Sequence, residues 1–228
     1  MVNTITELFE EQAKLPGRGI LADTRESAKG QVQQKIIQVA TNHFVQFGYR
    51  RANVADIASR VGIGKGTIYL YFKSKKDLFL SCQLAEEAQA LPKFKNIEKM
   101  QKTERFSAYV KASLNFATSA PLTRALIARP EDFASLLDEI GPTRLKNITF
   151  KGNEYIAKSL ISPIAQNTDT EEQVKIAKAI SLVIYAVGHL PNAAWEISEI
   201  KTEDFIEIFT KILDLGTKNT KSIESEKK

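Results

Sequence analysis

Residues 53–78, NVADIASRVGIGKGTIYLYFKSKKDL, restrict this chain more than any other stretch. Val54, Ile57, Ala58 and Val61 fall at i, i+3, i+4 and i+7, which is one apolar face of a short helix. Asn53 is placed to cap that helix, because its side-chain oxygen suits the orphan amides of a first turn. Gly62-Ile63-Gly64 then interrupts it: Gly62 suits the left-handed backbone that ends a helix, and Ile63 suits a pin into the core. Lys65 to Phe72 predicts a second helix of about two turns, with Ile68 and Phe72 inward at i and i+4. Two short helices across a tight glycine turn make the unit that lays its second helix in the DNA major groove.

These residues resemble the TetR family of bacterial transcriptional regulators. The pattern is Asp56-Ile57-Ala58, Val61-Gly62-Ile63, Gly66-Thr67-Ile68-Tyr69, Tyr71-Phe72, Ser74-Lys75 and Leu78, within roughly residues 31–80. Asn53 stands where the family usually has Thr, and Asn caps at least as well. The resemblance implies an N-terminal three-helix helix-turn-helix DNA-binding domain and a larger C-terminal helical domain for ligand binding and dimerisation. It further implies a homodimer joined through the last two long helices and a small effector that shifts the spacing of the two DNA-reading heads. The expected activity is therefore that of a ligand-responsive repressor on a palindromic operator. The alternative kept open is a chromosome-associated relative whose C-terminal domain binds a protein partner.

Charge is placed where DNA contact requires it. Arg25 to Asp77 holds ten basic residues against three acids, a surplus of seven, while the whole chain is only +5. The positive excess thus sits on the segment carrying the motif, as phosphate binding demands. Lys65, Thr67 and Tyr69 are expected at the exposed start of the recognition helix. A Thr hydroxyl and methyl suit base edges, and Lys65 suits guanine or phosphate. Tyr69 has a rival reading as a packing residue against Phe72 and Leu78. Tyr71 resembles the family's phosphate-binding Tyr or His, and Lys75 starts the next helix, where amides and dipole favour a phosphate. Arg50 and Arg51 are placed to clamp backbone beside Asn53.

The remaining composition argues against other classes. Hydrophobic residues at 43% and charged residues at 26% are ordinary for a globular protein. The longest stretch free of Lys, Arg, Asp and Glu, Ala179 to Trp195, contains Pro191 and Asn192 and falls short of a bilayer span. The N-terminus lacks a basic region followed by an apolar core, so no signal peptide is expected there. One cysteine, Cys82, excludes an internal disulfide and suits a reducing cytoplasm, the expected location. His43 and His189 lie in unrelated helices, and no nucleophile elbow, P-loop or metal-binding spacing occurs. Asp138 and Glu139 point to different helix faces and are expected to cap or to be solvated. Neither enzyme activity, metal nor cofactor is expected.

Along the chain the pattern is helical throughout, and the expected fold class is all-α. Residues 1–24 are expected to form a mobile arm, in which Thr6 to Leu15 could be helical and Arg18 and Arg25 could reach a minor groove. Residues 25–74 then form the DNA-binding domain and 75–92 a connecting helix bounded by Pro92. Residues 93–217 are expected to form the ligand-binding and dimerisation domain, and 218–228 a polar tail. Val174 to Val187 is apolar nearly all round and should be buried on more than one side. Phe205, Ile208, Phe209, Ile212 and Leu215 form one stripe of the last helix, edged by Ile206 and Leu213. Candidate ligand contacts are Tyr109, Asn115, Phe116, Tyr155, Tyr185, His189 and Trp195, which together suit a largely apolar effector.

Overall fold

The computed structural model describes residues 4–13, 28–165 and 167–219. The expected groove contacts of Arg18 and Arg25, and tail residues 220–228, lie outside the described residues. Regular structure among the described residues is entirely helical, in the order α1 (Ile5–Ala13), α2 (Ala28–Arg51), α3 (Val54–Val61), α4 (Lys65–Tyr71) and α5 (Lys75–Glu98). α6 (Lys102–Ser119), α7 (Pro121–Ala128), α8 (Ala134–Ile140) and α9 (Pro142–Tyr155) follow. α10 (Thr170–Gly188), α11 (Asn192–Ile197) and α12 (Thr202–Asn219) complete the chain. A 3₁₀ turn, Pro130–Asp132, precedes α8, and a π-type segment, Ile156–Ile161, extends α9.

Two compact units result. One comprises residues 9–90 and 120–145. Its core joins Ile36, Phe44, Ile57, Ile68, Phe72, Leu78 and Phe79 to Leu122, Phe133 and Leu136. Helices α7 and α8 therefore close the core of the helix-turn-helix, although the chain reaches them only after α6. The second unit comprises residues 1–8, 91–119 and 146–228. Its core gathers Phe106, Val110 and Leu114 of α6, Tyr155, Ile156, Ala157, Leu160 and Ile161, Ala177 and Ile180 of α10, and Ile206 of α12.

Three local features depart from the sequence pattern, each for a physical reason. Before them, α2 itself is kinked near its end. Gly48 breaks it at φ 72°, ψ 173°, a conformation essentially reserved for glycine, and helical turns resume to Arg51. Pro92 does not end α5, although it withholds the amide that the Ala88 carbonyl would otherwise accept. The helix continues because its far end is held: Ile97 is buried and Glu98 Oε1 accepts the Ile5 amide at 2.5 Å. Glu98 thereby ties down the start of α1, so Ile5–Ala13 is an ordered helix within the expected arm. α10 is not buried all round within one chain; Ala177, Ile180 and Val187 are buried, whereas Leu182 is 67% exposed.

Candidate nucleic-acid interface

Helices α3 and α4 are built as their residues dictate. Asn53 Oδ1 accepts the Ala55 amide at 2.9 Å, which caps α3. Gly62 ends α3 in the left-handed region at φ 84°, and the Gly62 and Ile63 amides return to the Ala58 carbonyl at 3.0 Å each. Val54, Ile57, Ala58 and Val61 are all buried, as their spacing requires. On α4, Ile68 and Phe72 point into the core, whereas Lys65, Tyr69 and Leu70 face solvent and Thr67 is half-buried. Ser74 Oγ then accepts the Asp77 amide at 3.0 Å and Asp77 Oδ2 accepts the Lys73 amide at 2.8 Å, so α5 starts from a fixed turn.

The exposed edge of α4 therefore presents a cation, an aromatic ring and a hydroxyl within two turns. Tyr69 is exposed, which favours its reading role over packing against Phe72 and Leu78. Tyr71 is half-buried, its ring 6.4 Å from that of Phe72. Leu70, 80% exposed, is an addition that core-counting from the sequence passed over. Its signal was positional: with Ile68 and Phe72 inward, residue 70 must face outward. A solvent-facing leucine on such a helix suits a thymine methyl group.

The basic residues before α3 and α5 are more committed than their exposure pattern suggested. Lys75 Nζ donates to the carbonyls of Arg50 at 3.3 Å and Ala52 at 3.0 Å and lies 4.6 Å from the Tyr49 ring centroid. Burial lowers its pKa, against the raising effect of Glu139. Its ammonium thus ties α5 to the α2–α3 junction. Arg51 Nη2 forks onto Asp132 Oδ1 and Oδ2 at 3.2 and 3.3 Å, while Arg50 is exposed. Glu139 is solvent-exposed, as expected, and in addition accepts the Tyr49 hydroxyl at 3.0 Å and 3.2 Å. Burial, then that bond, raises the Tyr49 pKa. No sequence signal linked residues 132 and 139 to residues 49 and 51, because the pairing spans some ninety positions.

His43 is buried at the same junction. Its Nε2 accepts the Asn53 amide at 3.4 Å, and its Nδ1 has no hydrogen-bond partner among the described residues. Burial, and next the Arg60 charge, lower its pKa, with Asp56 opposing. Cys82 is fully buried and its thiol is pushed up to about 12, which makes it a packing residue.

The seven candidate effector contacts do not converge. Tyr109 and Tyr155 do meet, with ring centroids 6.2 Å apart and Phe94 5.6 Å from Tyr109. Burial raises the pKa of both tyrosines, and the Tyr155 hydroxyl donates to Glu98 Oε1 at 3.3 Å. Asn115 spends its amide on the Lys111 carbonyl of its own helix at 2.7 Å, and Phe116 is half-buried one position on. Tyr185 and His189 pair at 4.5 Å at the end of α10, while Trp195 packs edge-on to Phe205 at 5.3 Å. A cavity of about 220 Å³ does occur in this unit, with a wall of Val110, Ile180, Val183, Phe209 and Leu213. None of the seven lines it, and its lining is wholly apolar. Among the described residues no cluster could hold a metal ion, and no helix is long and apolar enough to cross a membrane.

A capped helix, a left-handed glycine turn and a short helix with an outward cationic and aromatic edge define a helix-turn-helix DNA-binding protein. Residues 36–82 match the model of the bacterial regulatory proteins of the tetR family. It is 24% identical over 187 residues to the fatty acid metabolism regulator protein of Bacillus subtilis, covering 79% of this chain and 91% of that one. Over 98 residues, 42% of this chain and 52% of the relative, it is 32% identical to the transcriptional regulator QacR of Staphylococcus aureus. The solved structure of the fatty acid degradation regulator FadR from Bacillus halodurans shares the fold at a TM-score of 0.57 and 19% identity, covering 82% of this chain and 96% of that one. The chain is accordingly a DNA-binding transcriptional regulator.

Proposed function

We propose that this protein is a dimeric, sequence-specific repressor that a small, largely apolar effector releases from a palindromic operator. The observation that carries the reading is the outward edge of α4, where Lys65, Thr67 and Tyr69 are presented over a buried Ile68 and Phe72. Thr67 and Tyr69 read base edges, with Lys65 on guanine or phosphate. Tyr71, Arg50 and the amides beginning α5 beside Lys75 meet the backbone, and Asn53 holds α3 in register.

Dimerisation is supported by an unpartnered apolar face. Leu182 and Tyr185 on α10, with Ile208, Ile212 and Leu215 on α12, are exposed in the single chain. Exposed large apolar groups of this kind, on both helices, suit an interface. A two-fold partner over it would supply the second recognition helix that a palindromic operator requires.

The effector reading is supported by the apolar cavity beside α6, α10 and α12 and by the Phe94–Tyr109–Tyr155 cluster, of which Tyr155 is buried and the other two half-buried. Relatives whose names refer to fatty acid metabolism and degradation agree with an acyl-type ligand. Release requires that the effector bind the DNA-free state more tightly than the bound one. One observation favours the alternative, a protein partner at this domain: about 220 Å³ is below the usual size of a ligand pocket, while the apolar face beside it is broad. The test is fluorescence-anisotropy titration of DNA upstream of the gene, in a salt series with random-DNA competitor. Tight binding that survives competitor and is reversed by a fatty acid or its thioester supports the repressor. Competitor-sensitive, sequence-blind binding sinks it.

A further inference from the structure

Arg51, at the entry to α3, is paired with Asp132. The Arg51 Nη2 group contacts both carboxylate oxygens, at 3.2 and 3.3 Å, a charge-assisted contact of the kind a guanidinium also offers to phosphate. The Arg51 Nε donates to the Phe47 carbonyl at 3.2 Å, so the side chain is folded back along its own helix. The two partners differ in exposure: the Arg51 side chain is 59% exposed and that of Asp132 only 14%.

Asp132 is itself held by two contacts to Arg129. Arg129 Nη1 lies 3.4 Å from Asp132 Oδ2, and the Asp132 amide donates to the Arg129 carbonyl at 3.0 Å. Arg129 in turn donates through Nη2 to the Val45 carbonyl on α2. Gly48 supplies the space, since a Cβ there would lie 2.5 Å from the Asp132 Cβ and 3.1 Å from its carbonyl oxygen. A fixed, sheltered carboxylate thus faces a cation at the entrance to the DNA-reading helices.

We propose that Asp132 is an intramolecular stand-in for phosphate that withholds Arg51 from DNA and thereby lowers sequence-independent affinity. Arg50, its exposed neighbour, stays available for backbone contact. An ion pair whose cation is largely solvated is weak, so removing the Asp132 charge transfers Arg51 to a phosphate without rebuilding the helix. The effect falls on phosphate contact, and base preference is unchanged because Arg51 precedes the recognition helix. This inference rests on the DNA-binding reading above.

The test uses the full chain in anisotropy titrations on operator and random duplexes across about 50–200 mM salt, comparing wild type, Arg51→Ala, Asp132→Asn, Asp132→Glu and the Arg51→Ala/Asp132→Asn double variant. Arg51→Ala is expected to match wild type in affinity and salt slope. Asp132→Asn should bind both duplexes about three- to tenfold more tightly, with a log–log slope steeper by about 0.9, the increment of one added phosphate contact. The double variant should return to wild type, and Asp132→Glu should stay there. A shallower slope for Arg51→Ala would show that Arg51 already touches DNA and overturns the proposal. So would an unchanged slope in Asp132→Asn, or a gain that survives in the double variant and so belongs to Arg129. If Asp132→Asn does not fold, Arg51→Ala alone decides by the same criterion. Failure of wild type to bind any duplex instead defeats the DNA-binding reading, and this inference with it.

Discussion

The two units handle apolar surface in opposite ways. The DNA-reading unit buries Ile36, Phe44, Ile57, Ile68, Phe72, Leu78 and Phe79 in one core and closes it with Leu122, Phe133 and Leu136 from a later part of the chain. On α4 it leaves only Tyr69 and Leu70 as exposed large hydrophobic groups, beside Lys65. The other unit completes a core on one side of α10 and α12 and leaves Leu182, Ile208, Ile212 and Leu215 in solvent on the other. Burial is finished inside the chain in the unit that carries the helix-turn-helix, and left open on α10 and α12, where the proposed partner would complete it. The exposed chemistry agrees with that division, since cations and a hydroxyl suit DNA whereas aliphatic groups suit a protein surface.

Breaking the open face should have the largest effect. Ile208→Asp combined with Ile212→Asp is expected to give monomers in sedimentation analysis and to cut operator affinity about 1,000-fold, because half-sites are then bound singly. Folded dimers with full affinity would transfer the interface to another surface. Next comes the closed unit. Gly48→Ala forces a side chain into a glycine-only conformation and against Asp132, and should cost about 2–4 kcal/mol of stability in denaturant titration. An unchanged midpoint would mean that α2 relaxes freely there.

Smaller effects sharpen the reading of α4. Thr67→Ala should lose about 1 kcal/mol on the operator and relax base preference at one position, whereas Lys65→Ala should weaken all duplexes and lower the salt slope by about 0.9. Identical changes for both would merge their roles. The smallest effect concerns His43. Its pKa lies below the ordinary 6.5 in the folded protein, through burial first, so the unfolded chain takes up the proton at higher pH than the native one. Stability should be full above about pH 6.5 and fall as pH drops through the lowered native value. His43→Gln should remove that part of the loss, and a wild-type and variant difference independent of pH would contradict it.

Much of the reading head was legible. Asn53, Gly62, Ile63, Ile68, Phe72 and Ser74 do what their spacing and side chains demand, because capping, left-handed turns and i, i+4 burial are decided within one or two turns of chain. Pro92 misled for the same local reason: the break was real in propensity, yet buried Ile97 and the Glu98 contacts at the end of α5 outweigh it. The effector contacts were least legible. Aromatic and polar residues on apolar helices are identifiable singly, but whether Tyr109 meets Tyr155, or Trp195 meets Phe205, depends on how helices pack.

From its sequence alone this protein is all-helical, with a basic helix-turn-helix whose caps, turn and inward residues follow from local chemistry. Only the tertiary structure decided that α7 and α8 complete that domain's core, that Asp132 and Glu139 engage Arg51 and Tyr49, and that Lys75 turns its ammonium to backbone carbonyls. The reason is range. Propensity and periodicity act over a few residues, whereas these contacts join positions dozens of residues apart, and form only when burial of the shared apolar core brings them within hydrogen-bond distance.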